Sequence, residues 1–375
     1  MKLDVKNLDF IQKNIFTLVP IYTRYGYTQY RMSKFEEYDL YSKNKDFLVS
    51  DSVITFTDTN GKLMALKPDV TLSIVKNSDR EIKGVEKLYY NENVYRVSKG
   101  TNCFKEITQM GLECIGEVGS YEIGEVLYLA AQSLKALSDI FVLEVSHLGI
   151  MAAAVEAVSS DYKLQSKIWK YINDKNYHSV EELCLQAQAN TEALPVLKKL
   201  MSISGTPKDV LPELELFTKE AHVTEELGEL KSALSVFEGS ELESNIIIDF
   251  SAVGDINYYN GIIFNGFLDT VPESVLSGGQ YDALMKKMKK KSRAVGFAVY
   301  LDLLERLGES ETGFDVDLML VYSPDCSPAE VLKAVRGFEE KGKSVFACSA
   351  DNGKIKANEV YSLKKGGVIE LETDA

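Results

Sequence analysis

A small set of polar side chains has the types and spacing to bind a small zwitterion. Gln109 and Glu113 lie four residues apart in a segment with strand character, so both should point to one face of a sheet. Arg96 ends the preceding strand segment, and Tyr258 and Tyr259 begin a later one. A guanidinium holds a carboxylate in a bidentate manner, while carboxylates and amides accept N–H groups. An exposed sheet face with ordinary ion pairs is the alternative interpretation.

The elements that must position these residues alternate in type along the first 150 residues. Apolar spacing predicts helices over residues 10–25, 70–76 and 123–137. Alternating patterns predict strands over 53–57, 63–66, 85–95, 104–115 and 141–148. The strands over 85–95 and 104–115 are expected to be antiparallel partners.

The character of the chain then changes twice. Residues 152–242 are almost entirely helical in pattern. Strand patterns return at 245–250 and 258–267. Residues 277–282, Ser-Gly-Gly-Gln-Tyr-Asp, predict a glycine turn that holds Tyr281 close to the backbone, and a helical run follows over 298–307. The tail predicts strands at 317–322, 344–348 and 368–371 around a helix at 329–341.

These patterns predict an α+β fold with a largely antiparallel sheet flanked by helices, not a series of βαβ units. We expect a core of residues 1–151 and 243–308, an all-helical insertion at 152–242, and a small C-terminal α/β domain at 314–375. The polar linker 308–313 separates the last domain from the core. The sequence contains neither Gly-x-Gly-x-x-Gly nor a P-loop, which disfavours the common nucleotide-binding folds.

Composition narrows the function classes further. The 375 residues include 42 Lys and Arg against 56 Asp and Glu, and the net charge of −14 disfavours non-specific nucleic-acid binding. The five cysteines are scattered and form no metal-ligand pattern, so we expect no metal, no cofactor and no disulfide framework. No apolar run approaches the roughly 20 residues that span a bilayer, and the first ten residues do not resemble a secretory signal. A cytoplasmic location is expected.

Five segments, in matching order along the chain, resemble those of histidyl-tRNA synthetases. Residues 90–116 (YNENVYRVSKGTNCFKEITQMGLECIG) resemble motif 2, and 253–264 (VGDINYYNGIIF) resemble the histidine-specific segment. The other three are 24–40 (motif 1), 64–71 (the amino-acid loop), and 278–284 with 295–304 (motif 3). The resemblance implies a class II aminoacyl-tRNA synthetase-like core over about residues 8–150 and 245–308.

The resemblance also implies a histidine pocket in which each group of the ligand meets its own side chains. The implied contacts are Asp69, Thr71 and Gln109 for the α-ammonium, Arg96 for the carboxylate, and Glu113 and Tyr259 for the imidazole, with Tyr258 and Tyr281 lining the pocket. An imidazole suits these last partners, because one ring N–H can donate to a carboxylate while the other nitrogen accepts from a phenol.

Departures from the family's pattern fall mainly on residues that would handle ATP. Gly254 and Leu303 stand where the family has arginines, Tyr300 replaces a small glycine, and Gln280 replaces an arginine. Elsewhere, Ser33 replaces the motif 1 proline, and Asp69 replaces the usual glutamate of the amino-acid loop. The motif 2 loop at 99–105 is also poor in arginine and one residue short. Adenylation depends on positive charge that neutralises developing negative charge, so these changes predict that it is lost.

A synthetase core with a damaged ATP site, a retained amino-acid pocket and only 62 residues after Gly313 is similar to the regulatory-subunit family of ATP phosphoribosyltransferase. This resemblance implies a non-catalytic, histidine-sensing subunit for the first step of histidine biosynthesis, with catalytic residues on a short-form partner. It also implies a homodimer within a hetero-octamer and no tRNA binding.

Two other functions and one further feature stay open at this stage. A divergent histidine-activating ligase or synthetase is the first alternative, and a scaffold or RNA-binding module is the second. The basic segment 286–293 (KKMKKKSR) would meet a nucleotide or an acidic partner face, or form a solvated loop.

Overall fold

The computed structural model describes residues 8–45, 53–97, 103–221, 223–251, 258–304, 314–350, 353–365 and 367–371. The chain divides into two compact units, Met1–Arg306 and Leu307–Ala375. The helices of residues 152–242 belong to the first unit, so their status as a separate inserted domain stays a prediction. Within the described ranges, none of the helices combines the length and apolarity needed to cross a membrane.

The first unit contains a nine-stranded sheet and a small three-stranded sheet among its described residues. Its strands are β1 (Thr28–Gln29), β2 (Phe35–Glu37), β3 (Thr55–Thr57), β4 (Leu63–Leu66), β5 (Val85–Val97), β6 (Phe104–Gly116), β7 (Phe141–His147), β8 (Ser204–Gly205), β9 (Ile246–Asp249), β10 (Ile262–Leu268), β11 (Val271–Gln280) and β12 (Arg293–Tyr300). The large sheet has the order β1-β5-β6-β12-β11-β10-β7-β9-β8, and the small sheet has the order β2-β4-β3. Only the β1–β5 and β7–β9 pairs of the large sheet are parallel, which confirms a largely antiparallel sheet.

Helices flank this sheet, as the sequence predicts. They are α1 (Phe10–Thr23), α2 (Tyr38–Ser42), α3 (Thr71–Asn77), α4 (Ser120–Leu137), α5 (Leu148–Val158), α6 (Tyr162–Asn173), α7 (Tyr177–Gln186), α8 (Leu194–Ser202), α9 (Pro207–Ala221), α10 (Thr224–Leu234), α11 (Asp282–Lys287) and α12 (Leu301–Leu304). The helical prediction for residues 152–242 is confirmed apart from the two-residue strand β8 and short 3₁₀ turns.

Helix α4 covers one face of the large sheet and leaves the other face available for a cavity. Its buried residues Ile123, Leu127 and Leu134 repeat at helical spacing. The Leu134 side chain lies against Gly266 of β10, where an added Cβ would come within 2.7 Å of it. The neighbouring Asn265 points to the opposite face, because successive strand residues alternate.

Strands β5 and β6 form a long antiparallel pair that carries much of the site. They pair from Val85 opposite Gly116 to Val97 opposite Phe104, which confirms the predicted partnership. On β6, Gln109 and Glu113 share one face, while the buried Met110 and Leu112 point to the other. One strand therefore supplies both polar cavity residues and apolar packing residues.

Three local predictions are wrong. Residues 277–280 form no glycine turn but the end of strand β11, because their backbone groups are paired with β10 and β12. Tyr258 and Tyr259 are not on a strand, since β10 begins only at Ile262. The helical run 298–307 is a strand up to Tyr300, where it pairs with β6, and helix α12 starts at Leu301. Residues 305–307 lie outside the described residues.

The second unit is a small α/β arrangement. Its elements are β13 (Val316–Tyr322), α13 (Pro328–Glu339), β14 (Val345–Cys348), β15 (Ala357–Lys364) and β16 (Gly367–Leu371). The strand order is β14-β13-β15-β16, with β15 and β16 antiparallel and the other pairs parallel. Leu318, Leu320 and Leu363 form its buried core. The sequence pattern did not predict β15.

Candidate functional site

A cavity of about 240 Å³ lies on the face of the large sheet opposite α4. The side chains that line it include every residue that the sequence predicts for the histidine pocket: Asp69, Thr71, Arg96, Gln109, Glu113, Tyr258, Tyr259 and Tyr281. Eight further residues line the same cavity: Val70, Tyr90, Asn265, Ser277, Gly296, Phe297, Ala298 and Tyr300. The structure therefore brings the predicted set together. The other half of the lining residues were not predicted for the pocket.

Small residues in adjacent strands make room for this cavity. Glu113 of β6 faces Gly296 of β12, and Gly111 faces Ala298 two residues further along. A Cβ atom added to Gly296 would overlap with Oε2 of Glu113, and one added to Gly111 would overlap with the Tyr90 hydroxyl. Without these glycines the carboxylate could not lie flat over the sheet, so the floor of the cavity depends on them.

Glu113 is a buried acid on the floor of the cavity. The Thr71 hydroxyl donates to its Oε1 at 2.6 Å, and the Tyr281 hydroxyl donates to its Oε2 at 2.6 Å. The pKa of Glu113 is raised to about 8, mainly by burial and to a smaller extent by the charge of the nearby Asp69, although the two hydroxyl donors oppose this rise. The carboxyl group therefore gains from a ligand that brings an N–H donor or a positive charge.

Asp69 and Arg96 lie on the side of the cavity formed by the start of α3. Oδ1 of Asp69 accepts the backbone N–H of Leu72 at 2.8 Å, which fixes the carboxylate in the first turn of the helix. Burial raises the pKa of Asp69, while the Leu72 N–H and the Arg96 charge oppose that rise. Nε of Arg96 donates to the carbonyl of Pro68 at 3.1 Å, so the guanidinium is held beside the same turn.

The tyrosines pack as an aromatic wall. The rings of Tyr258 and Tyr259 meet edge to face with centroids 4.7 Å apart, and Tyr281 lies 6.1 Å from Tyr258. Burial raises the pKa values of the Tyr258 and Tyr281 phenols well above their ordinary value, so both stay protonated near neutral pH. Gly279 allows this packing, since an added Cβ would approach the Tyr259 ring to 2.8 Å.

A polar network around Gln280 includes a residue that the sequence did not single out. Glu229 of α10 accepts from Arg293 at 2.9 Å, from Nε2 of Gln280 at 3.1 Å, and from Nε2 of His147 at 3.1 Å. The pKa of Glu229 is lowered to about 2, mainly by the hydrogen bond from His147 and also by those from Arg293 and Gln280. Gln280 also accepts the backbone N–H of Ile262, so the network braces the start of β10.

The polar lining residues that the sequence did not predict are Tyr90, Asn265, Ser277 and Tyr300. The hydroxyls of Ser277 and Tyr300 lie 2.7 Å apart. Residues 296, 298 and 300 lie on one face of β12, so a strand assignment there would have placed Tyr300 on the same face as Gly296. The helical interpretation of residues 298–307 concealed this signal.

Several other predictions concern features outside the cavity. Gly254 and residues 98–102 of the motif 2 loop lie outside the described residues. In the basic segment 286–293, Lys290 donates to the carbonyl of Ser78, Lys291 pairs with Glu81, and Arg293 pairs with Glu229 and Asp282. These three cations therefore bind the chain itself. Within the described part of the chain, no group of three His, Cys, Asp or Glu residues could hold a metal ion.

The polar groups of the cavity are of the kinds that bind a small polar ligand. The cavity combines two buried carboxyl groups, a guanidinium, two amides and protonated phenols within one small volume. Such a set matches a ligand that carries an ammonium, a carboxylate and a ring N–H. Ligand pockets for drug-sized molecules span about 300–1,000 Å³, so a single amino acid suits this smaller cavity.

Comparison with known proteins agrees with this architecture. A family model described as histidyl-tRNA synthetase matches residues 7–304. A protein named ATP phosphoribosyltransferase regulatory subunit from Oceanobacillus iheyensis is 26% identical over 96% of the chain and 92% of its own length. The structure of an ATP phosphoribosyltransferase regulatory subunit/histidyl-tRNA synthetase from Bacillus halodurans C has a TM-score of 0.76 at 23% identity, covering 92% of this chain and 89% of that one. A chain of the ATP phosphoribosyl transferase (HisG:HisZ) complex from Thermotoga maritima has a TM-score of 0.62 at 19% identity, covering 78% and 98%.

Proposed function

The chain belongs to the histidyl-tRNA synthetase family, and from this premise we propose that it is the regulatory subunit of an ATP phosphoribosyltransferase, not an aminoacyl-tRNA ligase. Its catalytic partner carries out the first step of histidine biosynthesis, and this chain binds L-histidine as the feedback signal. The observation that carries the proposal is the cavity, which all eight implied residues line. A relative that matches nearly the full length of the chain is named ATP phosphoribosyltransferase regulatory subunit.

The cavity supplies a partner for each group of L-histidine. A ring N–H donates to the Glu113 carboxylate, and the Tyr259 phenol donates to the other ring nitrogen. Asp69, Thr71 and Gln109 receive the α-ammonium. Arg96 holds the carboxylate, because its guanidinium matches a carboxylate in both charge and shape.

The chain lacks cationic side chains that the resemblance implies for activating an amino acid with ATP. Leu303 occupies the position in α12 where the resemblance implies an ATP-clamping arginine. Tyr300 brings a phenol to the cavity where the resemblance implies a small glycine. A cation at a transferring phosphoryl group is worth several kcal/mol, so we infer that the chain does not form an adenylate.

The proposal extends to assembly and place of action. The chain forms a homodimer, joins the short-form catalytic subunit in a hetero-octamer in the cytoplasm, and binds no tRNA. The catalytic residues lie on the partner. Histidine binding and the partner's active site are then linked by a coupling free energy, as any allosteric pair must be.

Size-exclusion chromatography of the chain with the short-form catalytic subunit from the same organism tests the assembly. We expect co-elution at a mass far above that of either component, whereas separate elution at micromolar concentration would contradict the proposed partnership. Isothermal titration with L-histidine at pH 8.5 tests the ligand, and Glu113→Gln should weaken that binding. A Glu106→Gln variant, changed on the same strand but outside the cavity, is the matched control.

The family match favours one second candidate, a divergent histidine-activating ligase. Histidine-dependent exchange of pyrophosphate into ATP by the isolated chain would support it. Absence of exchange, together with L-histidine binding, would exclude adenylation while leaving the pocket assignment in place.

A further inference from the structure

Tyr300 lines the cavity but has no role in the contacts proposed for histidine. Tyr300 is the last residue of β12, and it lies directly opposite Gln109 of β6. Its side chain lines the cavity, and its hydroxyl lies 2.7 Å from that of Ser277 on β11. The phenol therefore bridges two strands at one end of the cavity floor.

The surroundings of Tyr300 hold its side chain in place. Its backbone belongs to a strand paired with β6, and the next residue, Leu301, is fully buried at the start of α12. Leu304, one turn further on, is fully buried as well. A ring fixed by a strand, a buried helix start and a hydroxyl pair cannot swing aside at low cost.

The register between β6 and β12 defines which end of a bound ligand lies against Tyr300. Glu113 faces Gly296 at one end of the floor, Gly111 faces Ala298 in the middle, and Gln109 faces Tyr300 at the other end. The proposed function, on which this inference rests, puts the imidazole at Glu113 and the α-ammonium at Gln109. The α-carbon and its carboxyl group then lie at the Tyr300 end.

We propose that Tyr300 is a specificity-determining residue that restricts the cavity to an amino acid with an unextended carboxyl group. A ligand with a bulky group on the carboxyl carbon, such as an aryl amide or an acyl-adenylate, would overlap with the phenol ring. The cavity measures about 240 Å³ and Tyr300 lines it at this end, so a group that extends the carboxyl carbon would meet the phenol ring. The site thus distinguishes free histidine from histidine that has been activated or coupled.

The test compares three ligands by isothermal titration at one pH: L-histidine, L-histidinamide and L-histidine β-naphthylamide. The two amides both lack the carboxylate charge, so their ratio of dissociation constants reports the effect of the added naphthyl group without a change of charge. For the unaltered chain we expect the naphthylamide to bind at least about tenfold more weakly than histidinamide, as overpacking of a filled site implies. In Tyr300→Ala this ratio should fall towards one, while Tyr300→Phe, which loses only the hydroxyl, should keep most of it.

Each outcome has a defined meaning. Equal binding of the two amides by the unaltered chain would overturn the inference, and so would a large ratio that persists in folded Tyr300→Ala. Circular dichroism checks the fold of each variant, and Tyr300→Leu replaces the alanine variant if that one does not fold. Failure of the unaltered chain to bind L-histidine at all would instead contradict the proposed function, which separates the two conclusions.

Discussion

Glutamine in place of Glu113 should weaken L-histidine binding strongly above pH 8 and hardly at all at pH 6. The reason is the protonation state of the native carboxyl group, which burial holds at a pKa of about 8. Thr71 and Tyr281 both donate to it, so its ionised form offers its remaining lone pairs to the ring N–H of the ligand. The protonated form resembles an amide in shape and charge, and glutamine reproduces it.

The magnitude follows from two free energies. A hydrogen bond to a charged group contributes about 1.5–3 kcal/mol, which corresponds to roughly a tenfold to hundredfold change in dissociation constant. Ionising a carboxyl group about two pH units below its pKa costs about 3 kcal/mol, which cancels that entire advantage at pH 6. The loss caused by Glu113→Gln should therefore grow from near zero at pH 6 to roughly tenfold to hundredfold at pH 8.5.

Isothermal titration calorimetry of both proteins from pH 6 to 8.5 measures this difference. In the proposed pose the Tyr259 phenol donates to the second ring nitrogen, so the bound imidazole is neutral in both proteins. Protonation of the free ligand is then common to both titrations and cancels in the ratio of dissociation constants. Glu106→Gln serves as the control, because Glu106 lies on the same strand but does not line the cavity. An effect of Glu113→Gln that is equal at pH 6 and pH 8.5 would refute the assignment of the ionised carboxylate as the acceptor of the ring N–H.

Three further predictions concern stability and the cavity floor. Gly296→Ala should abolish L-histidine binding in calorimetry, because the new methyl group overlaps with the Glu113 carboxylate, while Gly228→Ala on α10, where a Cβ meets nothing, should leave binding intact. Glu229→Gln should lower the free energy of unfolding in urea by about 1–3 kcal/mol through its lost charged hydrogen bonds, whereas Glu225→Gln on the exposed side of the same helix should change it little. Folding raises the pKa of Glu113 from 4.5 to about 8, so the stability that this group contributes is complete below pH 4.5 and is lost as the pH rises through 8. Glu113→Gln should therefore flatten the decline of the melting temperature between these pH values. An unchanged slope of melting temperature against pH would contradict this prediction.

Much of the first unit could be predicted from local patterns. The α1 and α4 helices show strong apolar periodicity, and the β5–β6 pair shows alternation, so their types and partners follow from sequence. Gln109 and Glu113 could be placed on one face from their spacing alone. The class of fold is confirmed by these elements and by the family match.

Two of the three errors share a physical cause, which is that packing around the cavity overrides local preferences. Gly278 and Gly279 suggested a turn, but they lie in a paired strand, where glycine is needed because a Cβ at either position would collide with neighbouring strands or with Tyr259. Tyr258 and Tyr259 favour strands by propensity, yet they precede β10 and turn their rings into the cavity wall. Tertiary packing determines the backbone structure at these positions, and the residue pattern within a single segment does not reveal that packing.

The Glu229 network was invisible to sequence analysis for a related reason. Its members come from α10, from the end of β7 and from β11 and β12, so only the assembled sheet brings them together. Glu229 itself sits on an amphipathic helix among other acidic residues, where it resembles an ordinary surface charge. Its neighbours, not its sequence position, distinguish it.

Reconstitution of activity tests the central claim most directly. The chain is mixed with the short-form catalytic subunit from the same organism, and formation of phosphoribosyl-ATP from ATP and phosphoribosyl pyrophosphate is followed with and without L-histidine. The account predicts that activity appears or rises on mixing and falls when L-histidine is added, and that Glu113→Gln supports the activity but resists the inhibition at pH 8.5. Activity of the catalytic subunit that is unaffected by this chain and by its histidine pocket would contradict the account.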